Sequence, residues 1–109
     1  MGFEMVLLTD MPKIPPGASE QLVAAWGQCT KVLVEAGQVD WGAVREMLRA
    51  GDVLFIDRME TAGEYWDKIW DEIEKTLEYG IAVQFIEEDI SLSHDDCELF
   101  KALSAVAKL

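Results

Sequence analysis

Carboxylates follow each short apolar run of this sequence, at positions where chemistry could be done. In an open parallel sheet, such positions meet at one edge, where ligands bind. Several carboxylates at one edge could hold Mg²⁺, which prefers oxygen ligands. Their spacing defines no coordination geometry, so we predict solvated loop acids, with no metal and no cofactor. The polar residues that follow the four apolar runs, most of them acids, are Thr9, Asp10, Glu35, Asp57, Arg58, Glu87, Glu88 and Asp89.

The remaining reactive side chains are isolated in the sequence. His94 is the only histidine, and a metal site there would need further ligands. Cys29 and Cys97 lie far apart and outside any CxxC spacing, which argues against a disulfide scaffold and a zinc ribbon. Because Cys29 has no histidine partner in view, we predict an idle or buried thiol rather than a nucleophile. Read by chemistry alone, the sequence shows no active site.

The order of apolar runs and helical stretches predicts one α/β domain. Ser19 and Asp40 are placed to begin helices, and Thr61 with Glu64 forms a capping box at the start of a long helix. Alternating strands and helices imply a mostly parallel sheet with helices on its faces. We therefore expect a three-layer sandwich with a sheet of four or five strands. The predicted strands are 5–8, 31–34, 53–56 and 81–86, and the predicted helices are 20–28, 40–49, 61–78 and 93–106.

The charge of the chain argues against direct binding of DNA. Of its 109 residues, 21 are acidic and nine are basic, which gives a net charge of −12. Nucleic-acid binding draws most of its affinity from lysine and arginine, and no basic patch is visible here. The apolar runs are too short for a membrane helix, and no secretory signal opens the chain. We therefore expect a cytoplasmic protein that binds neither DNA nor a membrane.

The second half of the chain resembles the catalytic domain of serine recombinases, the resolvases and invertases. That family typically reads G-D-V-L-V-V-W-K-L-D-R-L-G-R-S, and this chain aligns with it without a gap over 51–65. A long helix, a strand, an acidic segment with Asp-Ile and a final helix rich in alanine and leucine follow in the same order. Upstream, 24–35 and 40–52 resemble the family's passages before this motif. The resemblance implies a resolvase-like fold and, for intact members, site-specific DNA recombination.

The residues on which the family's chemistry depends are largely replaced. The family's nucleophilic serine lies at the end of the first strand, where this chain has Thr9, and a nearby family arginine becomes Leu7. In the D-R-L-G-R motif the acid survives as Glu60, while the two arginines become Thr61 and Glu64. Arginines stabilise the transferring phosphate, so their loss removes the charge that the reaction needs. The resemblance thus implies a degenerate active site, with Thr9 and Glu60 as its catalytic remnants.

Three functional hypotheses follow from the sequence. The first is a non-catalytic domain that contacts a protein partner, a recombinase or other DNA enzyme, or a second copy of itself as a dimer. The second is an acidic mimic of DNA that occupies a basic groove, and the third is residual phosphoryl transfer by Thr9. The family dimerises through its last helix, which suggests a contact surface here, although the same residues could simply pack on the sheet. These residues are Leu99, Phe100, Leu103 and Val106.

Overall fold

The fold is an α/β domain built on a five-stranded sheet. The computed structural model describes residues 4–34, 39–62 and 66–96. The strands are β1 (Met5–Thr9), β2 (Lys31–Val34), β3 (Val53–Ile56), β4 (Ala82–Phe85) and β5 (Ile90–Leu92). The helices are α1 (Glu20–Gln28), α2 (Trp41–Glu46), α3 (Met59–Ala62) and α4 (Trp66–Glu78), and a 3-10 turn covers His94–Asp96.

The sheet is parallel except for one outer strand. Its strand order is β2-β1-β3-β4-β5, and only β5 runs antiparallel to its neighbour. Chain order therefore reverses between β1 and β3, which lie side by side in the middle of the sheet. In open α/β sheets, ligands bind outside the carboxyl ends of the strands at such a reversal, because the connections on either side lead away in opposite directions.

Helices cover the two faces of the sheet unequally. One face packs under α2 and α4, where the larger cluster of buried residues includes Val44, Ile73 and Phe85. The other face packs under α1, where Leu7, Leu22, Ala25 and Ile86 form a smaller cluster. The predicted three-layer α/β sandwich with a mostly parallel sheet is therefore confirmed. No helix in the described ranges is both long and apolar enough to span a membrane.

Two of the predicted helices begin where the sequence placed them. Ser19 accepts a hydrogen bond from the amide of Leu22, and Asp40 accepts one from the amide of Ala43. Each cap satisfies an amide that lacks a partner inside the helix.

The prediction that Thr61 caps the long helix was wrong. Thr61 lies inside the short helix α3, and its hydroxyl donates to Asp57 instead. Glu64, the other half of the predicted capping box, lies outside the described residues, as do most residues of the predicted final helix. Strand β5 was not predicted as a separate element. It is only three residues long, and it follows a turn in which Asp89 adopts a positive φ of 55°.

Candidate functional site

Thr9 and Asp57 meet at the carboxyl edge of the two central strands. Thr9 ends β1 and Asp57 follows β3, and the register pairs Leu8 with Ile56 directly before them. The Thr9 hydroxyl donates to Asp57 Oδ2 over 2.8 Å. Both side chains are buried, with Thr9 fully enclosed and Asp57 4% exposed. The fold thus brings together two of the residues that the sequence placed at this edge.

Asp57 is the centre of a hydrogen-bond network that joins three elements. Besides the Thr9 hydroxyl, its carboxylate accepts the Thr61 hydroxyl and the amide of Arg58 at 2.8 Å. The Thr9 oxygen in turn accepts the amide of Met11 at 3.1 Å. Three donors on one carboxylate compensate for its removal from water, so Asp57 ties the ends of β1 and β3 to the start of α3.

Arg58 forms an ion pair with Asp10 beside this network. Arg58 Nη2 lies 2.8 Å from Asp10 Oδ2, and each side chain is a little more than one-third exposed. The hydrogen bond and the charge of Asp10 raise the pKa of Arg58 above its ordinary value, and the charges of Asp57 and Glu60 add to the effect. Among the described residues, Asp10 Oδ1 and Arg58 Nε are buried and have no hydrogen-bond partner. In a two-point arginine–carboxylate pair, the second, parallel hydrogen bond joins a second guanidinium nitrogen to the other carboxylate oxygen.

The two predicted catalytic remnants occupy different surroundings. Glu60 is exposed on α3, whereas Thr9 is enclosed and bound to Asp57. The Thr9 hydroxyl donates a hydrogen bond to the Asp57 carboxylate and accepts one from the backbone amide of Met11. A substrate would have to displace both hydrogen bonds to reach the hydroxyl. The structure therefore gives Asp57, and not Glu60, as the acid that contacts Thr9.

Sequence reasoning noted Asp57 but missed its role. The family resemblance directed attention to Glu60, three residues later in the chain. The useful signal was strand position: Thr9 and Asp57 each directly follow an apolar run, and adjacent parallel strands place such residues side by side.

Carboxylates outnumber cations at this edge. The segments after β1, β3 and β4, which cover 10–18, 57–62 and 86–89 and include the short helix α3, hold six acidic residues and two basic ones. The Glu88 carboxylate also accepts the amide of Met59 at the start of α3. Within the described ranges, no group of three or more His, Cys, Asp or Glu side chains could hold a metal ion. The acidic residues are Asp10, Asp57, Glu60, Glu87, Glu88 and Asp89.

Two other arginines lie away from this edge. Arg45 of α2 binds Glu72 of α4, with Nη1 2.6 Å from the carboxylate, and so joins the two helices on one face. Arg49 is exposed, and its amide donates to Asp52 at the opposite edge of the sheet. The three arginines therefore form no cluster beside Thr9. A phosphate at that position would contact Arg58 alone of the three, and Arg58 is already paired with Asp10.

The Cys29 thiol is in the protonated form at neutral pH. Burial raises its pKa from 9.0 to about 11. Because the thiolate is the reactive form, this shift agrees with the sequence prediction that Cys29 is not a nucleophile.

We expect Cys29 to alkylate slowly in the folded chain. In a Cys97→Ser background, its rate with iodoacetamide at pH 8 should be at least about tenfold below that of the same thiol in urea, because the raised pKa leaves a smaller fraction of thiolate in the folded chain. The folded rate should keep rising up to about pH 11, while the unfolded rate should level off above about pH 9. Equal rates in the folded and unfolded chain at pH 8 would contradict the assignment.

Comparisons with known proteins give no further guide to the site. Neither the protein-family models nor the curated proteins that were searched include a match to this chain. What can be said of function therefore rests on the geometry at the carboxyl edge and on the sequence resemblance.

Proposed function

We propose that this chain is a non-catalytic domain, similar to the catalytic domain of serine recombinases, which acts in the cytoplasm through contact with another protein. The observation that carries the proposal is the state of Thr9. Its hydroxyl is fully buried and hydrogen-bonded to the Asp57 carboxylate, so it is not presented to a DNA phosphate.

The positions that carry arginine in intact recombinases support the same proposal. Leu7 stands at one of them and is completely buried under α1, where a charged side chain would be unfavourable. Thr61 stands at another and gives its hydroxyl to Asp57. Both positions have taken structural roles, and neither supplies positive charge to a phosphate.

We place the contact at the acidic carboxyl edge, and its partner is a protein with a basic surface. Six carboxylates against two cations create a negative potential, which steers and orients a positively charged partner. If the partner is a DNA enzyme, this edge would occupy its DNA groove in place of the nucleic acid. The sequence hypotheses of a protein contact and of an acidic mimic then describe one surface.

The competing surface is the C-terminal one. The sequence suggested Leu99, Phe100, Leu103 and Val106 as contacts with a partner or in a homodimer, and these residues lie outside the described ranges. The two surfaces differ in their response to salt, because screening weakens charge pairing and leaves apolar contact nearly unchanged.

Charge reversal at the edge tests the proposal. Binding to poly-L-lysine, as a stand-in for a basic groove, should weaken at least about tenfold in Glu60→Lys/Glu87→Lys, and the wild-type affinity should fall steeply between about 50 and 200 mM salt. The control, Glu46→Lys/Glu78→Lys, makes the same change in net charge on exposed residues of α2 and α4. An equal loss of binding in both variants would mean that net charge alone acts, which overturns the placement of the contact.

A further inference from the structure

Strand β2 is an outer strand of the sheet, and its far side pairs with no other described strand. The amide of Thr30 donates to Met5 of β1, and successive amides along a strand point in opposite directions. The N–H and C=O groups of Lys31 and Leu33 therefore point away from β1. Backbone groups of this kind form a template on which a further strand can pair. We call this side of 31–34 the β2 edge.

Acidic residues are missing from the part of the sequence that forms the β2 edge. Between residues 21 and 34, which cover β2 and all of α1 except its first residue, Lys31 is the single charged side chain. The whole chain, by contrast, has 21 acidic residues among 109 and a net charge of −12. Two copies of so acidic a chain repel each other over most of their surface, and the repulsion is weakest where acids are missing.

The other outer strand, β5, is surrounded by acids. Five carboxylates flank it closely in the sequence, and they belong to Glu87, Glu88, Asp89, Asp95 and Asp96. Pairing of two β5 strands would bring these five carboxylates of each copy together, which like-charge repulsion disfavours. Of the two outer strands, β2 is therefore the one through which two copies of the chain can approach.

The side chains of β2 are apolar on both faces of the sheet. Val32 packs with the α1 cluster, and Val34, two residues later, points to the same face and is 47% exposed. Leu33 packs against the larger cluster on the other face. Strand edges that stay in solvent are commonly guarded by charged residues or by proline, and β2 has neither after Lys31.

We propose that two copies of the chain pair antiparallel through their β2 edges, which joins two five-stranded sheets into one of ten strands. A two-fold axis brings identical strands together in this orientation. If the pair is centred on Leu33, the two Leu33 residues exchange both backbone hydrogen bonds, and Val34 packs against Val32 of the other copy. The two Lys31 side chains then lie about 14 Å apart along the strands, beyond the screening length of about 10 Å at 0.1 M salt.

This inference goes beyond the proposed function, because it concerns a different surface. The β2 edge lies at the side of the sheet, whereas the acidic carboxyl edge lies at the ends of the strands, so each copy keeps that edge free for a basic partner. The two contacts also respond oppositely to salt. Screening relieves the repulsion between two acidic copies and strengthens the dimer, while it weakens the binding of a basic partner.

Sedimentation equilibrium of the full chain between about 10 µM and 1 mM tests the inference. We expect a dimer whose fraction rises with concentration and, at fixed concentration, with salt between about 50 and 200 mM. Val34→Lys should raise the dissociation constant at least about tenfold, because it places a lysine inside the strand pair. The control Ile90→Lys makes the same change in charge on β5, where the side chain is 36% exposed, and should stay within about twofold.

A disulfide between unlike variants tests the register of the pair. In a chain with Cys29→Ser and Cys97→Ser, the Val32→Cys and Val34→Cys variants should cross-link on oxidation at least about tenfold faster when mixed than when either is alone. The reason is that positions 32 and 34 of the two copies face each other about 4.5 Å apart between Cα atoms, which a disulfide can bridge.

Three results would overturn the inference. The first is a monomer over the whole range of concentration, and the second is equal weakening of the dimer by Val34→Lys and Ile90→Lys. The third is a disulfide that forms as fast in either variant alone as in the mixture, which would reflect random collision. Weakening confined to Val34→Lys, with unchanged circular dichroism and with cross-linking confined to the mixture, supports pairing through the β2 edge.

Discussion

Replacement of Asp57 by alanine should lower the free energy of unfolding by about 3–5 kcal/mol. The change leaves the buried hydroxyls of Thr9 and Thr61 and the amide of Arg58 without their shared acceptor. Each unsatisfied buried donor costs about 1–3 kcal/mol, and no water replaces the carboxylate readily at a side chain that is 4% exposed. Urea unfolding followed by tryptophan fluorescence would measure the loss.

Two companion variants separate the network from charge alone. Asp57→Asn keeps one acceptor oxygen and should lose about half as much as Asp57→Ala. Glu87→Ala removes an exposed carboxylate after the neighbouring strand β4 and should change stability by less than about 0.5 kcal/mol. A loss in Asp57→Ala no larger than that in Glu87→Ala would show that the network contributes little to the fold.

Asp52 should be the second most sensitive polar residue of the described chain. It precedes β3 at the opposite edge of the sheet, where its carboxylate accepts the amides of Glu4 at 2.9 Å and Arg49 at 2.8 Å. The side chain is 5% exposed, so Asp52→Ala should cost about 2–4 kcal/mol in the same unfolding measurement.

The losses at Asp52 and Asp57 should add. The two aspartates lie at opposite ends of a four-residue strand and share no partner, and distant sites of this kind are independent. The double variant should therefore lose the sum of the single losses to within about 0.5 kcal/mol, provided that it still folds. A double variant that loses no more than Asp57→Ala alone would contradict two independent clamps on β3.

Most of the fold could be predicted from local sequence. Strand β3 matched its prediction because the all-apolar run between Asp52 and Asp57 has few alternatives. Ser19 and Asp40 marked helix starts through their side-chain oxygens. Strand β5 was missed because three residues are too few to show the alternation of apolar and polar side chains by which a strand is recognised. The role of Thr61 was misjudged because the capping box is a local signal, whereas the Asp57 carboxylate that takes its hydroxyl is a tertiary partner of Thr9.

The site was less predictable than the fold. The sequence placed Thr9 and Asp57 at one edge, but it could not show that they would bond to each other. That contact depends on strand order, which sets β1 beside β3 across 48 positions of chain. The pairing of Arg58 with Asp10 depends on the same adjacency. The packing of the helices decides which arginines lie near the carboxyl ends of the strands. Arg45, for example, forms its ion pair with Glu72 of α4 instead.

Under the proposed function, the Thr9 hydroxyl performs no phosphoryl transfer. The most direct test is to incubate the wild type and Thr9→Val with supercoiled DNA of mixed sequence, and separately with an activated aryl phosphodiester, and then to measure the mass of the denatured chain. We predict unmodified chain in both proteins with both probes, since the hydroxyl is enclosed and bound to Asp57. A covalent phosphate adduct on the wild type that is absent from Thr9→Val would contradict the account.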